Sequence, residues 1–114
     1  MQITSQGSSG WSPSGSAKGA YVGVKSSSLH TFYAIDVKSL QGNSLSSFAV
    51  EYSMDGQSFQ TVDVFRLHKC VTGSIKTFYF KPIEARFIRL VARKGTPNIK
   101  FQFYISSETA LSQI

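Results

Sequence analysis

Few side chains in this sequence have the types and spacing that catalysis or metal binding needs. The two histidines, His30 and His68, are far apart, and the single cysteine, Cys70, lies just after the second of them. A zinc site takes about four ligands, usually with short spacings between them, and a nucleophilic cysteine needs a base and a group that orients the base. Neither pattern is present, so the sequence predicts no metal site and no catalytic residue.

The acidic residues do not suggest a catalytic pair either. They are dispersed along the chain as Asp36, Glu51, Asp55, Asp63, Glu84 and Glu108. The glycine-rich patterns that cradle phosphates in nucleotide sites are also missing from the sequence. These observations indicate a protein that is not an enzyme.

The cationic residues are the more informative set. There are 12 Lys and Arg against 6 Asp and Glu, a formal net charge of +6, and a basic surface favours an anionic partner. The predicted ligand-binding residues come from three loop-like segments and are Trp11, Lys18, His68, Lys69, Arg93 and Lys94. If these loops share one end of the fold, their aromatic and cationic groups suit a sugar ring or a headgroup phosphate. For Trp11 the alternative, a plug of the core instead of a ligand platform, is the favoured interpretation.

The elements that must position these residues have the pattern of short β-strands. Aromatic and β-branched residues are frequent, and apolar and polar residues alternate over 47–54 and 99–105, as in half-buried strands. Turn residues recur roughly every 8–12 positions, which predicts a β-sandwich or barrel. The predicted strands are 20–25, 31–40, 47–54, 58–67, 75–81, 85–93 and 99–105. Pro82 lacks a backbone N–H and is expected to end the strand at 75–81.

The clearest local feature is a hairpin in the segment VEYSMDGQSFQTV, residues 50–62. Asp55-Gly56 between two alternating strands predicts a two-residue type I′ turn, which needs positive φ at both central residues. Tyr52 and Phe59 are expected in the core, because alternating aromatic residues usually face inward. The hairpin is therefore interpreted as framework.

The order of these segments resembles the discoidin family, also called coagulation-factor F5/8 type C domains. The resemblance is carried by QITSQGSSGWSP, AYVGVK, FAVEYSMDGQSF and FKPIEARFIRLVA. It implies an all-β, antiparallel, eight-stranded jelly-roll sandwich with no catalysis of its own, whose loops at one end bind a ligand. The residues that fall within the family motifs, and are assigned structural roles, are Tyr52, Asp55, Gly56, Arg86 and Arg89. We expect Arg89 to be half-buried and to pair with a carboxylate or with carbonyls inside the sandwich end.

The chain departs from the family pattern at Lys25, where members usually carry aspartate, and it lacks their paired terminal cysteines. We therefore predict no cofactor, and calcium is suggested by family analogy alone. The resemblance implies an extracellular or cell-surface setting, whereas the unpaired Cys70 and the lack of a signal-peptide pattern fit a reducing compartment. The sequence leaves both settings open.

We expect one domain over residues 1–106, followed by a tail at 107–114. The expected partner is a cell-surface glycan or an anionic surface group, in adhesion or attachment, and an intracellular protein-interaction module is the alternative. A membrane surface is a weaker candidate, since only Leu29, Leu45 and Val71 suit apolar loop tips. Nucleic acid is disfavoured, because the aromatic residues alternate like core residues and form no surface row. The sequence does not indicate an oligomeric state.

Overall fold

The structure, a computed structural model, describes residues 2–4, 11, 19–68 and 71–106. These residues form an all-β, antiparallel fold in the strand order β1-β6-β2-β5-β3-β4. The strands are β1 (Gln2–Thr4), β2 (Tyr21–Ser39), β3 (Ser47–Ser53), β4 (Gln60–Arg66), β5 (Ile75–Lys94) and β6 (Ile99–Ile105). No helix among the described residues is long and apolar enough to cross a membrane.

Two long strands pass through both layers of a sandwich. Residues 30–39 of β2 pair with residues 75–85 of β5 and with β6, and β6 also pairs with β1; we call this the first layer. The start of β2 pairs with the end of β5, the end of β5 pairs with β3, and β3 pairs with β4. We call this the second layer. The layers pack face to face, since the ring of Phe78 in the first layer lies 5.2 Å from that of Phe48 in the second. The predicted sandwich is thus confirmed.

The described residues form six strands, where eight were expected, because two pairs of predicted strands are continuous. The segments 20–25 and 31–40 join into β2, and 75–81 and 85–93 join into β5. The expectation that Pro82 ends a strand was wrong. Pro82 lies in an irregularity of the ladder, where the partner of β2 shifts from Ile83 to Tyr79. A residue without an N–H is tolerated at such a bulge, so β5 continues through it.

The core follows the period-2 pattern read from the sequence. Ile99, Phe101, Phe103 and Ile105 of β6 are buried while the residues between them are only half-buried. Tyr52 of β3 packs against the same core. Alternation therefore placed the apolar rows of these strands correctly.

The hairpin between β3 and β4 is longer than predicted. Its loop takes six residues, 54–59, and the last strand pair is Tyr52 with Gln60, so the two-residue type I′ turn was wrong. The Asp55 carboxylate accepts hydrogen bonds from the backbone N–H groups of Gln57 (2.8 Å) and Ser58 (3.0 Å). These bonds to the charged form lower the pKa of Asp55 to about 2. The aspartate shapes a wider loop through its side chain instead of occupying a tight turn.

Candidate functional site

Loops that are distant in sequence meet at one end of the sandwich. The backbone N–H of Ser44 donates to the carbonyl of Thr96 (3.0 Å), which joins the loop 40–46 to the loop 95–98. Gly95 makes this approach feasible, because it has a φ of 92° and a Cβ there would lie 1.9 Å from the Ser44 carbonyl oxygen.

The segment between β4 and β5 joins the same end. The N–H of Leu67 donates to the carbonyl of Ser46 (2.9 Å), and the N–H of Gly73 donates to the carbonyl of Ser39 (2.8 Å). We call residues 40–46, 67–68, 71–74 and 95–98 the loop end. A network of backbone bonds fixes the backbones of these loops relative to one another.

The loop end gathers four of the residues predicted to bind a ligand. Arg93 and Lys94 were expected on a loop, but they are the last two residues of β5, where both are exposed next to this end. His68 is exposed beside Leu67. Trp11 forms an isolated antiparallel bridge with Ile99, where its N–H donates to the Ile99 carbonyl at 2.7 Å.

Trp11 is half-buried and packs against the core. Lys18 and Lys69 lie outside the described residues. The sequence favoured a core plug over a ligand platform for Trp11, and the residue packs against the core.

The residues assigned to structural motifs lie elsewhere. Tyr52, Asp55 and Gly56 belong to the hairpin at the end of the sandwich opposite to the loop end. Arg86 is exposed at the step in the β2–β5 ladder where the partner of β5 changes from Lys25 to His30. These residues are remote from Arg93 and Lys94, which fits a framework role.

Arg89 lies on the outer face of the second layer, not inside the sandwich end. Its Nε and Nη2 atoms donate to Oε1 of Glu51 at 2.9 and 2.8 Å. Its guanidinium is held between two rings, 3.7 Å from the centroid of Phe59 and 4.4 Å from that of Tyr21. The expectation that Phe59 is a core residue was wrong, because the wider hairpin loop carries its ring over the outer face, where it stacks on the cation.

The stack borders a concavity of ≈ 550 Å³ on that outer face, which sequence reasoning missed. Gly23 forms part of its wall directly opposite Arg89, and Lys25 stands exposed at its edge. The available signal was a glycine inside a strand, which often marks a close approach of backbone. No group of three His, Cys, Asp or Glu side chains in the described part of the chain is placed to hold a metal ion.

Comparison with known proteins identifies the architecture. The sequence pattern of the F5/8 type C domain matches residues 2–105. A search of curated proteins finds no match.

Among solved structures, discoidin II from Dictyostelium discoideum superposes with a TM-score of 0.74 at 22% identity, over 84% of this chain and 40% of that one. The CBM32-1 of a family 31 glycoside hydrolase from Clostridium perfringens gives 0.68 at 21% identity, over 85% and 77%. The CBM32 of AlyQ, solved in complex with 4,5-unsaturated mannuronic acid, gives 0.70 at 19% identity, over 90% and 93%. At these identities the likeness shows a shared fold.

Proposed function

This chain belongs to the F5/8 type C domain family, and on that premise we propose that it is a non-catalytic module that binds carbohydrate at its loop end. The similar folds include CBM32 modules, and the one from AlyQ was solved with a sugar acid bound. A module of this kind attaches a larger protein or a cell to a glycan-bearing surface, so we propose adhesion or attachment as the role.

The convergence of the loops is the observation that carries this proposal. Backbone hydrogen bonds hold the segments around Ser44, Leu67 and Thr96 together at the end where Arg93 and Lys94 are exposed. Guanidinium and ammonium groups donate hydrogen bonds to sugar hydroxyls and form charge-assisted bonds with carboxylate or sulfate groups. Two such donors at the end of the sandwich suit a sugar with an acidic substituent.

The test is a glycan array followed by titration of the strongest hit against a double variant. Arg93→Ala with Lys94→Ala should weaken binding about tenfold or more, because two charge-assisted hydrogen bonds are lost. The matched control is Lys25→Ala with Arg86→Ala, which removes the same charge from exposed positions away from the loop end. The control should bind like the wild type.

Equal losses in both double variants would show that binding follows net charge alone, and they would contradict a site at the loop end. Unchanged binding in the Arg93→Ala, Lys94→Ala variant would contradict it as well. Thermal unfolding of each variant checks that the fold is intact; we expect little change in Tm, because all four side chains are exposed.

A further inference from the structure

The outer face of the first layer carries an ordered array of side chains at positions fixed by strand register. Residues that are far apart in sequence lie directly opposite each other across β6, β2 and β5. Three successive rows result, which are Tyr104-Ala34-Tyr79, Gln102-Asp36-Thr77 and Lys100-Lys38-Ile75. We call this array the tyrosine face. The row of Lys38 borders the loop end. The row of Ala34 lies four residues further along the strands, away from the loop end.

The first row forms a shallow aromatic concavity. Ala34 lies between Tyr79 and Tyr104, and Tyr33 packs beside Tyr104 with ring centroids 6.1 Å apart. The concavity has a volume of ≈ 250 Å³ and is lined by these four residues and Thr77. Tyr79 is 70% exposed, and an exposed aromatic ring beside a small residue offers the apolar face on which the C–H side of a pyranose stacks.

The second row supplies hydrogen-bonding groups in a fixed orientation. The hydroxyls of Thr77 and Tyr104 each donate to a different oxygen of the Asp36 carboxylate. The bond to Asp36 raises the pKa of Tyr104 to about 12, because ionisation of the phenol would remove the proton that it donates to the carboxylate. A carboxylate has about four acceptor positions, so Asp36 retains capacity for the hydroxyls of a ligand.

The third row holds two like charges directly opposite each other. Lys38 and Lys100 are cross-strand partners, an arrangement that destabilises a sheet. Among the described residues the one ion pair is that between Arg89 and Glu51, so neither lysine has a carboxylate within 4.0 Å. An anionic group placed between the two ammonium groups would relieve their repulsion.

We propose that the tyrosine face binds an acidic oligosaccharide. One pyranose ring lies on the row of Tyr79 and Tyr104 with its hydroxyls at Asp36, and the carboxylate or sulfate of a following sugar lies between Lys38 and Lys100. The first and third rows are four residues apart, about 13 Å at the rise of a strand, which exceeds one ring and requires a chain of sugars. This inference rests on the carbohydrate-binding function proposed above but uses different residues from the loop end.

The test uses tetragalacturonate and its fully methyl-esterified form, which keeps the sugar chain and removes its charge. Calorimetric titration is done in the Arg93→Ala, Lys94→Ala background, so that the tyrosine face is measured without the cations of the loop end. We expect the acid form to bind and the ester to bind at least about fivefold more weakly at low salt, where a charged pair is least screened.

Two further substitutions locate the contact. Tyr79→Ala should weaken binding of the acid form about tenfold, as expected for one lost aromatic contact. Lys38→Gln with Lys100→Gln should lower the affinity for the acid form to the affinity that the wild-type face has for the methyl ester. The controls are Tyr21→Ala, an exposed tyrosine on the outer face of the second layer, and Arg66→Gln with Arg86→Gln, which removes two exposed charges elsewhere. Both controls should bind tetragalacturonate as before.

Tetragalacturonate that fails to bind in this background overturns the inference, as does binding that is unchanged by Tyr79→Ala or lowered equally by the control substitutions. The proposed function would survive any of these results if glycan binding still depended on Arg93 and Lys94. Conversely, binding that depends on Tyr79 but never on Arg93 and Lys94 would remove the loop-end site and leave the tyrosine face.

Discussion

Arg89 illustrates how single residues shape the outer face of the second layer. The guanidinium lies between Tyr21 and Phe59 and bonds to Glu51 because its strand partner on the other side, Gly23, has no side chain. A Cβ on Gly23 would lie 2.3 Å from the carbonyl oxygen of Ile88 and 2.8 Å from Cβ of Arg89. The glycine is needed for close approach and not for an unusual φ.

We therefore expect Gly23→Ala to lower the free energy of unfolding by about 1–3 kcal/mol, the usual range for overpacking. The backbone of β5 would have to shift, which also disturbs the Arg89 stack. Urea unfolding measures the change, and Lys25→Ala, an exposed site on the same strand, is the control. A Gly23→Ala protein within about 0.5 kcal/mol of the wild type would show that the strands can separate without loss.

At the residue scale, the sequence indicated which side chains are unusual but not where they point. Arg89 was expected to pair with a carboxylate, and it does bond to Glu51, although on the outer face. Phe59 was assigned to the core because period-2 alternation was extended through the hairpin. The six-residue loop interrupts that alternation, so the face of Phe59 could not be obtained by counting.

At the scale of elements, the sequence indicated where the strand pairing becomes irregular, but it wrongly predicted that the strands end there. A serine-rich stretch after Lys25 and Pro82 in β5 both mark irregular pairing. In the structure the chain bends at these points and stays in a ladder, so that β2 and β5 serve both layers. Local sequence cannot distinguish a bend from a break, because the difference depends on pairing with distant strands.

The hairpin loop gives a prediction that depends on pH. The pKa of Asp55 falls from 3.8 to about 2 on folding, through its bonds to Ser58, Gln57 and Ser53. Its stabilising effect is therefore complete above the unfolded value of 3.8 and is lost as the pH falls through about 2.

The measurement is the urea unfolding free energy of the wild type and of Asp55→Asn as the pH is lowered from 5 to about 2. Asparagine keeps an acceptor oxygen for the loop amides but has no titrating proton, and all other carboxylates are common to both proteins. The wild type should lose more stability than the variant over this range. Parallel pH profiles would show that the Asp55 bonds do not form in solution.

At the scale of the whole molecule, packing the layers on one core leaves the loop end and two outer faces free for contact. The all-β class and the sandwich were predictable, because alternation and turn spacing report directly on burial. The tyrosine face was not, since Ala34, Tyr79 and Tyr104 meet only through the register of three strands. Sites assembled by register require the structure.

The most direct test of the central claim is an amide-resolved NMR titration with the glycan that gives the strongest array signal. We predict that the largest shifts fall on the loop end and on Arg93 and Lys94 beside it, while the hairpin loop 54–59 remains unchanged. Shifts centred on the hairpin, or no array ligand that shifts any amide, would contradict a carbohydrate site at the loop end.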